Sequence, residues 1–568
     1  MKKFFNVFFV VLGIIFTLLI ILVIVLAINL SSLMKPEEVS VEPNSILKID
    51  LPLFLPEKPV SEIDRILRKS RYNFFDVIKS IEKAKKLPQV KGILLNIDFS
   101  GISFAQMEEI GKELNKFKSS GKKVYAYFKN GGDKEYYLAS FADKLYCNPQ
   151  SIIMLNGLYA NLIFFTNTFK KIGIEFETVK HGKYKSAVEP FVNNKISKYN
   201  KEMVLDIINS VYSVYSKEIA KNRNIKNIDR LIDNGPYLSP DGLVESNLVD
   251  SILTNDELET FFKDNKYKFI TLAKFLRVKD PIKYDYKNKI SVVFAEGQIV
   301  GGKKKEGFIT DEGTIKILKK LYKNDRVKAI VLRVNSPGGS GSASDNIWAY
   351  IEKLKKKKPV IVSMGAVAAS GGYYISMNAN RIFADKMTIT GSIGVFFLMP
   401  VYKGLYDKLD LKSYYFKTSP NATFLSTENR LTDEERAKMQ KYIDKFYDTF
   451  ITKAAKGRNM KKEEIDDIGQ GRVWIGIRAK EIGLVDEFGG LTDAIAYAKK
   501  LAKIPEGVNP KLDIYPKPKK LIAQLLEEDF LLSSKILNSK LGRFLMNVKE
   551  LSEKEEIKAL MPYTIEIK

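Results

Sequence analysis

The chain repeats itself, and that repeat limits its possible folds more than any other feature. Val90-Lys91-Gly92-Ile93-Leu94-Leu95-Asn96-Ile97-Asp98 aligns with Val327-Lys328-Ala329-Ile330-Val331-Leu332-Arg333-Val334-Asn335, 237 positions later. The same offset pairs Tyr136-Tyr137-Leu138 with Tyr373-Tyr374-Ile375, Lys144-Leu145-Tyr146 with Arg381-Ile382-Phe383, Gly157 with Gly394, and Lys180 with Lys417. At two places the copies differ in a complementary way. The second has Ser370 within Ala368-Ala369-Ser370-Gly371-Gly372, where the first has Asp133. The first has Lys185 within Gly182-Lys183-Tyr184-Lys185-Ser186, where the second has Ala422. One copy has lost a candidate nucleophile and the other a candidate base, so a working site has to draw on both.

Each copy alternates short β-branched runs with amphipathic stretches. Residues 93–97 and 124–128 read as buried strands with a helix over 105–118 between them; residues 330–334 and 360–364 read the same way around a helix over 343–356. Strand, helix, strand at this spacing predicts βαβ units and an α/β fold. Longer helices are expected over 200–222 and 432–456, where apolar residues recur every three or four positions. The stretch 253–288 joins the copies. The predicted organisation is an anchor over 1–34, a polar, proline-bearing linker over 35–45, a first repeat over 46–280, a second over 281–505 and an accessory tail over 506–568, with helical patterning resuming from Leu521.

The anchor follows from hydropathy. Residues 4–34 carry no charge, and about 20 apolar residues span a bilayer. A cleaved secretory signal would have a shorter apolar core and a small-residue cleavage site, which Ala27-Ile28-Asn29 does not supply. Lys2 and Lys3 favour a cytoplasmic N-terminus, with the catalytic body outside the cytoplasm; Lys35 and Lys48 pull the other way. The formal charge of +25 comes from lysines spread along the chain and reads chiefly as solvated faces, with attraction to anionic lipid near the anchor as the alternative. No nucleic-acid module is visible. One cysteine, Cys147, and one histidine, His181, make a His/Cys metal site implausible, and no cofactor is expected. Cys147 lies in an apolar-aromatic stretch and reads as a buried, inert thiol.

A serine hydroxyl needs a base to become a nucleophile. A Ser-His-Asp triad is possible only through His181, which reads as a loop residue before Gly182. Lysine is the alternative, and it must be neutral; moving it from about 10.4 to near 7 costs its charged form roughly 4–5 kcal/mol. Lys185 lies among Tyr184, Ala187, Val188, Pro190 and Phe191, an unusually apolar setting for this chain. Ser370 follows a buried strand and precedes helical patterning over 373–377, without the Gly-x-Ser-x-Gly elbow motif. Asn335-Ser336-Pro337-Gly338-Gly339 follows the preceding strand, where glycine N–H groups can face an oxyanion. The first copy has Asp98-Phe99-Ser100-Gly101-Ile102 there, without Pro-Gly-Gly.

These motifs, with Ala369-Ser370-Gly371-Gly372-Tyr373 and Thr390-Gly391-Ser392-Ile393-Gly394, make residues 46–505 resemble the long form of the signal peptide peptidase A (protease IV) family. The resemblance implies a tandem of Clp-protease/crotonase-like domains behind a transmembrane helix. It implies Ser370 as nucleophile, Lys185 as general base, Ser392 as the residue orienting the lysine, and an oxyanion hole from Gly338, Gly339 and Gly371. It further implies a bowl-shaped homotetramer on the extracytoplasmic side of the inner membrane, acting on signal-peptide remnants. Two rivals are an acyl-CoA enzyme on a crotonase-like scaffold, against which the anchor and the Ser/Lys pair argue, and an inactive scaffold protein.

Overall fold

In the computed structural model, residues 39–60, 72–303 and 305–517 are described in full and residues 558–560 by their backbone. The first copy builds a parallel sheet from β1 (Ser45–Asp50), β2 (Val90–Ile97), β3 (Lys123–Gly132) and β4 (Lys144–Met154), in the order 4-3-2-1, with short strands Ser251–Ile252 and Lys268–Thr271 at its edges. β5 (Glu175–His181) leaves that sheet altogether. The second copy repeats the pattern with β6 (Tyr284–Glu296), β7 (Val327–Ser336), β8 (Gly338–Ser340), β9 (Val360–Ala369), β10 (Ile389–Gly391) and β11 (Val395–Val401). Its main sheet runs Val473–Ile475, β10, β9, β7, β6 and then β12 (Asn509–Tyr515). β12 lies in the stretch expected to be an accessory tail: it pairs parallel to β6, just as Lys268–Thr271 pairs with β1, so the second repeat's sheet continues past residue 505.

The predicted helices form close to their expected bounds, at Phe104–Lys118, Gly341–Lys355, Lys198–Arg223 and Asp433–Arg458. Their caps explain the limits. Ser103 and Gln106 make a reciprocal capping box, as do Thr432 and Glu435, and the two long helices end on left-handed Asn224 and Asn459. Those ends are 235 residues apart, so two residues of the 237 offset are lost between the copies ahead of the second long helix. The residue opposite Lys185 is thereby not fixed at Ala422, but residues 419–424 contain no lysine. The expected anchor over 1–34 and the helical patterning from Leu521 lie outside the described residues, and no helix among those described is long and apolar enough to cross a membrane. Cys147 is fully buried.

The repeats share a core rather than meeting at a surface. Ala369, Met387, Val473 and Ile475 pack into the apolar cluster built on β1 to β4, and Val179 of β5 packs into that of the second copy. A buried ion cluster sits across the same junction. Arg333 of β7 is held bidentate by Glu57 (3.0 and 3.1 Å), lies 2.9 Å from Glu109, and donates to Ser363 Oγ (2.8 Å) and the Met364 carbonyl (3.1 Å). Burial pushes the Glu109 carboxyl up to about 8, reinforced by Asp385 and Glu57 and opposed by Arg333. Breaking such a cluster from one side strands buried carboxylates, so Arg333→Met is expected to cost about 3–5 kcal/mol. An unchanged denaturation midpoint for this variant would show that the cluster does not hold the repeats together.

A third sheet crosses between the copies: Ile309–Thr310, Ile299–Val300, β8, β13 (Lys558–Leu560), β11 and β5. β5 of the first copy pairs antiparallel with β11 of the second over its whole length, from Val395 opposite His181 to Val401 opposite Glu175. This pairing carries the residues after His181 into the second copy.

Candidate active site

Ser370 lies between the end of β9 at Ala369 and a short helix, Gly371–Tyr374, of which it is the N-cap. Its backbone sits at φ 54°, ψ −114°, a conformation that costs a non-glycine residue on the order of 1–3 kcal/mol. Its N–H donates to the Gly391 carbonyl (2.8 Å), so the neighbouring strand holds the turn in place. Strand, strained residue, helix is the geometry of a nucleophile elbow, reached here without the glycine pattern that usually marks one. The Gly371 N–H opens the helix and has no intrahelical acceptor.

Lys185 arrives from the other copy by way of β5 and the turn at Gly182. It is fully buried, and its Nζ stands 2.8 Å from Ser370 Oγ, 3.0 Å from Ser392 Oγ and 3.3 Å from the Ser392 carbonyl. All three residues belong to one chain. No carboxylate among the described residues faces the amine, and burial drives its pKa well below the ordinary value of 10.5. Ser392 is also held at positive φ (52°), with its N–H donated to the Arg472 carbonyl (2.7 Å). The lysine stem runs between Gly394 and Gly471. A Cβ on Gly471 would lie 2.6 Å from Lys185 Cβ, and one on Gly394 would lie 3.2 Å from Lys185 Cδ. Gly471 was not among the residues singled out from sequence; the short Gly469-Gln470-Gly471 pattern is the only local signal for it.

After a break at Pro337, Gly338 and Gly339 open the short strand β8. Gly339 must be glycine, because a Cβ there would fall 2.0 Å from the Ile299 carbonyl oxygen. Gly338 donates its N–H to Ser336 Oγ at 3.2 Å, so one of the expected oxyanion donors is already engaged. β13 runs antiparallel to β8, Leu560 opposite Gly338, and to β11, Lys558 opposite Phe396. The channel between β8 and β11 therefore accepts an extended backbone.

His181 is not a loop residue. It is the last residue of β5, because the strand continues until Gly182 turns at φ 105°. Its Nδ1 lies 2.7 Å from Asp444 Oδ1 and its ring stacks on Tyr447 at 3.9 Å. It is bonded away from Ser370. At the equivalent of Ser370 in the first copy, Asp133 is buried and accepts hydrogen bonds from Tyr215 Oη (2.7 Å) and the Gly157 N–H (3.1 Å). That position has become a structural tether.

Peptidase family S49 matches the chain twice, over residues 116–267 and 352–505. The chain belongs to peptidase family S49. A Clp protease model matches residues 284–387, in keeping with the α/β layers described above. Protease 4 of Haemophilus influenzae is 36% identical over 75% of this chain and 72% of its own length. Protease 4 of Salmonella typhi is 35% identical over 77% and 74%, respectively. The chloroplastic serine protease SPPA of Arabidopsis thaliana is 34% identical over 77% and 67%. As a member of S49 this protein is a serine peptidase.

Proposed function

We propose that this peptidase cuts peptide bonds with Ser370 as nucleophile and Lys185 as its neutral base, and that its substrates are hydrophobic signal-peptide remnants. The observation that carries the reading is the 2.8 Å contact between a fully buried, carboxylate-free amine and the hydroxyl of a strained serine. A neutral amine has one lone pair and two N–H bonds. The lone pair accepts the Ser370 proton while the N–H groups donate to Ser392, which fixes the direction of transfer. As Ser370 Oγ bonds to the scissile carbonyl carbon, its proton passes to Nζ, and the carbonyl oxygen takes the negative charge. The N–H groups of Gly371 and Gly339 face that charge; Gly338 joins them by giving up its 3.2 Å bond to Ser336. Nζ–H then protonates the leaving amine, and water completes the cycle by releasing the acyl group from Ser370.

Substrate would lie as β13 does, between β8 and the apolar strand β11, Val-Phe-Phe-Leu-Met-Pro-Val, adding a strand to the sheet. Extended, apolar peptides suit that channel. The purified protein should degrade a synthetic hydrophobic signal peptide while leaving the same segment uncut within its folded preprotein. Equal cleavage of a strongly polar peptide would sink the substrate assignment while leaving the chemistry intact.

The charge-free stretch 4–34 after Lys2 and Lys3 supports a single-span anchor with the body outside the cytoplasm, and the family resemblance supports a homo-oligomer, read as a tetramer. In cells with a permeabilised outer layer, added protease should digest the body. Its complete protection behind an intact inner membrane would place it on the cytoplasmic side.

A further inference from the structure

The Lys185 amine sits between two stretches of backbone that a single turn ties together. Gln470-Gly471-Arg472 follows helix Lys462–Ile468, and each of its residues grips one side of the site. The Gln470 carbonyl accepts from the Tyr184 N–H (2.9 Å), the Gly471 N–H donates to the Ile393 carbonyl (2.7 Å), and the Arg472 carbonyl accepts from the Ser392 N–H (2.7 Å). The turn thereby fixes Tyr184, just ahead of the lysine, against Ser392 and Ile393 opposite it. Both Gln470 (φ 51°) and Gly471 (φ 79°) are left-handed, and a non-glycine residue in that conformation persists only when its surroundings over-determine it. At one end Arg472 is tied down by Glu202 (2.8 Å) and Asp206 (3.3 Å). At the other the hold is a phenol. Tyr447, from helix Asp433–Arg458, accepts the Gln470 N–H (3.0 Å) and donates to Asp466 (2.5 Å), which also accepts from the Gln470 side-chain amide. Tyr447 is buried, and His181, itself bonded to Asp444, stacks on its ring.

The two repeats supply a comparison. The helix before the turn ends on Gly469 in the second copy and on Gly235 in the first, so Pro236-Tyr237 stands where Gln470-Gly471 does. Counted from the left-handed ends of the long helices, Tyr212 stands where Tyr447 does, and it too donates to a carboxylate, Asp229 (2.7 Å). Proline, however, has no N–H to offer that hydroxyl, and a side chain at the Gly471 position excludes a lysine stem. The tyrosine–carboxylate pair is common to both copies; the grip on the turn belongs to the copy that carries the serine. We propose that Tyr447 is a positioning residue for the base: its hydroxyl, aimed by Asp466, locks the Gln470-Gly471 turn that seats the Lys185 amine against Ser370 and Ser392 and keeps water from it. The inference rests on Lys185 being the base, and adds to that reading a residue that never touches the reacting atoms.

Tyr447→Phe in the full chain tests this, because phenylalanine keeps the ring on which His181 stacks and removes only the hydroxyl. At neutral pH kcat, normalised to the sites a fluorophosphonate can titrate, should fall about 10–100-fold, with KM within about twofold of the wild type, since the amine and not the substrate is displaced. With the turn loosened, water reaches the amine and its pKa climbs back toward the ordinary value. The acid limb of the kcat profile should therefore move up by about one pH unit, and the deficit should shrink in alkali. A wild-type kcat and acid limb in Tyr447→Phe would overturn the proposal, as would a loss confined to KM or one that leaves the acid limb unmoved, which is what a purely structural role gives. Asp466→Ala, at a half-buried position, should move kcat and the acid limb in the same directions by less. An unmoved limb there overturns the proposal equally, so a Tyr447→Phe chain that fails to fold does not spare it. Lys185→Met separates the two readings: if that variant stays active the Ser/Lys chemistry fails, whereas if it is dead and Tyr447→Phe behaves as the wild type, only the positioning role falls.

Discussion

Ser370→Ala is expected to abolish peptide hydrolysis, lowering kcat by on the order of 10⁵-fold or more, with no loss of fold. Replacing a nucleophile leaves only the residual catalysis of binding and oxyanion contacts. Because the side chain shrinks by one oxygen in a site that Gly391 and the following helix hold independently, melting should change little. A fluorophosphonate probe should label the wild type at Ser370 alone and leave the variant unlabelled. Undiminished labelling of Ser370→Ala would assign the nucleophile elsewhere.

Lys185→Met is expected to lose activity by about 10⁴-fold or more, approaching Ser370→Ala, and yet to be more stable than the wild type. The amine is buried without a carboxylate partner, so folding shifts its pKa below 10.5. Between the folded value and 10.5 the unfolded chain binds a proton that the folded chain does not, so wild-type stability rises with pH across that window. Below the folded value both states are protonated and the full cost of burying the charge is present. Methionine fills similar space without that cost, so Lys185→Met should melt higher near neutral pH and lose this part of the pH dependence. Lys185→Arg should be inactive, since a guanidinium keeps its proton. Wild-type activity should climb with pH as Lys185 deprotonates, well below pH 10.5. His181→Ala, whose imidazole is engaged by Asp444, should keep most activity. If His181→Ala is dead while Lys185→Met works, a histidine mechanism has to replace this one.

Reciprocal differences between the copies singled out Ser370 and Lys185 in the sequence, and the fold brings their side chains to 2.8 Å. The βαβ units were equally legible, since strand and helix periods survive in alternating apolar residues. What could not be read concerns close approach and long-range pairing. The Gly469-Gln470-Gly471 pattern marks only a turn, at which Gly471 takes φ 79°; that Gly471 walls the lysine channel depends on Lys185, 286 positions away. Likewise, β5 has an ordinary strand pattern, and only its partner β11 reveals that it belongs to the other copy's sheet. His181 looked like a loop residue because Gly182 follows it, yet the strand runs to the glycine itself. β12 was hidden by the proline- and lysine-rich composition just beyond it, which resembles a tail. The strained backbone of Ser370 had no signature at all, since the usual elbow motif is absent and the strain is imposed by the bond to Gly391.

The placement of Lys185 between Gly394 and Gly471 has a consequence for a chain emerging from the ribosome. A nascent polypeptide presents Lys185 early, Ser370 much later, and Gly471, which walls in the amine, about a hundred residues later still. Until then the amine stays in water, protonated and unable to take a proton. On the proposed dyad, premature termination anywhere before that point yields an inert fragment, which shields a cell making this peptidase from half-made, indiscriminate protease.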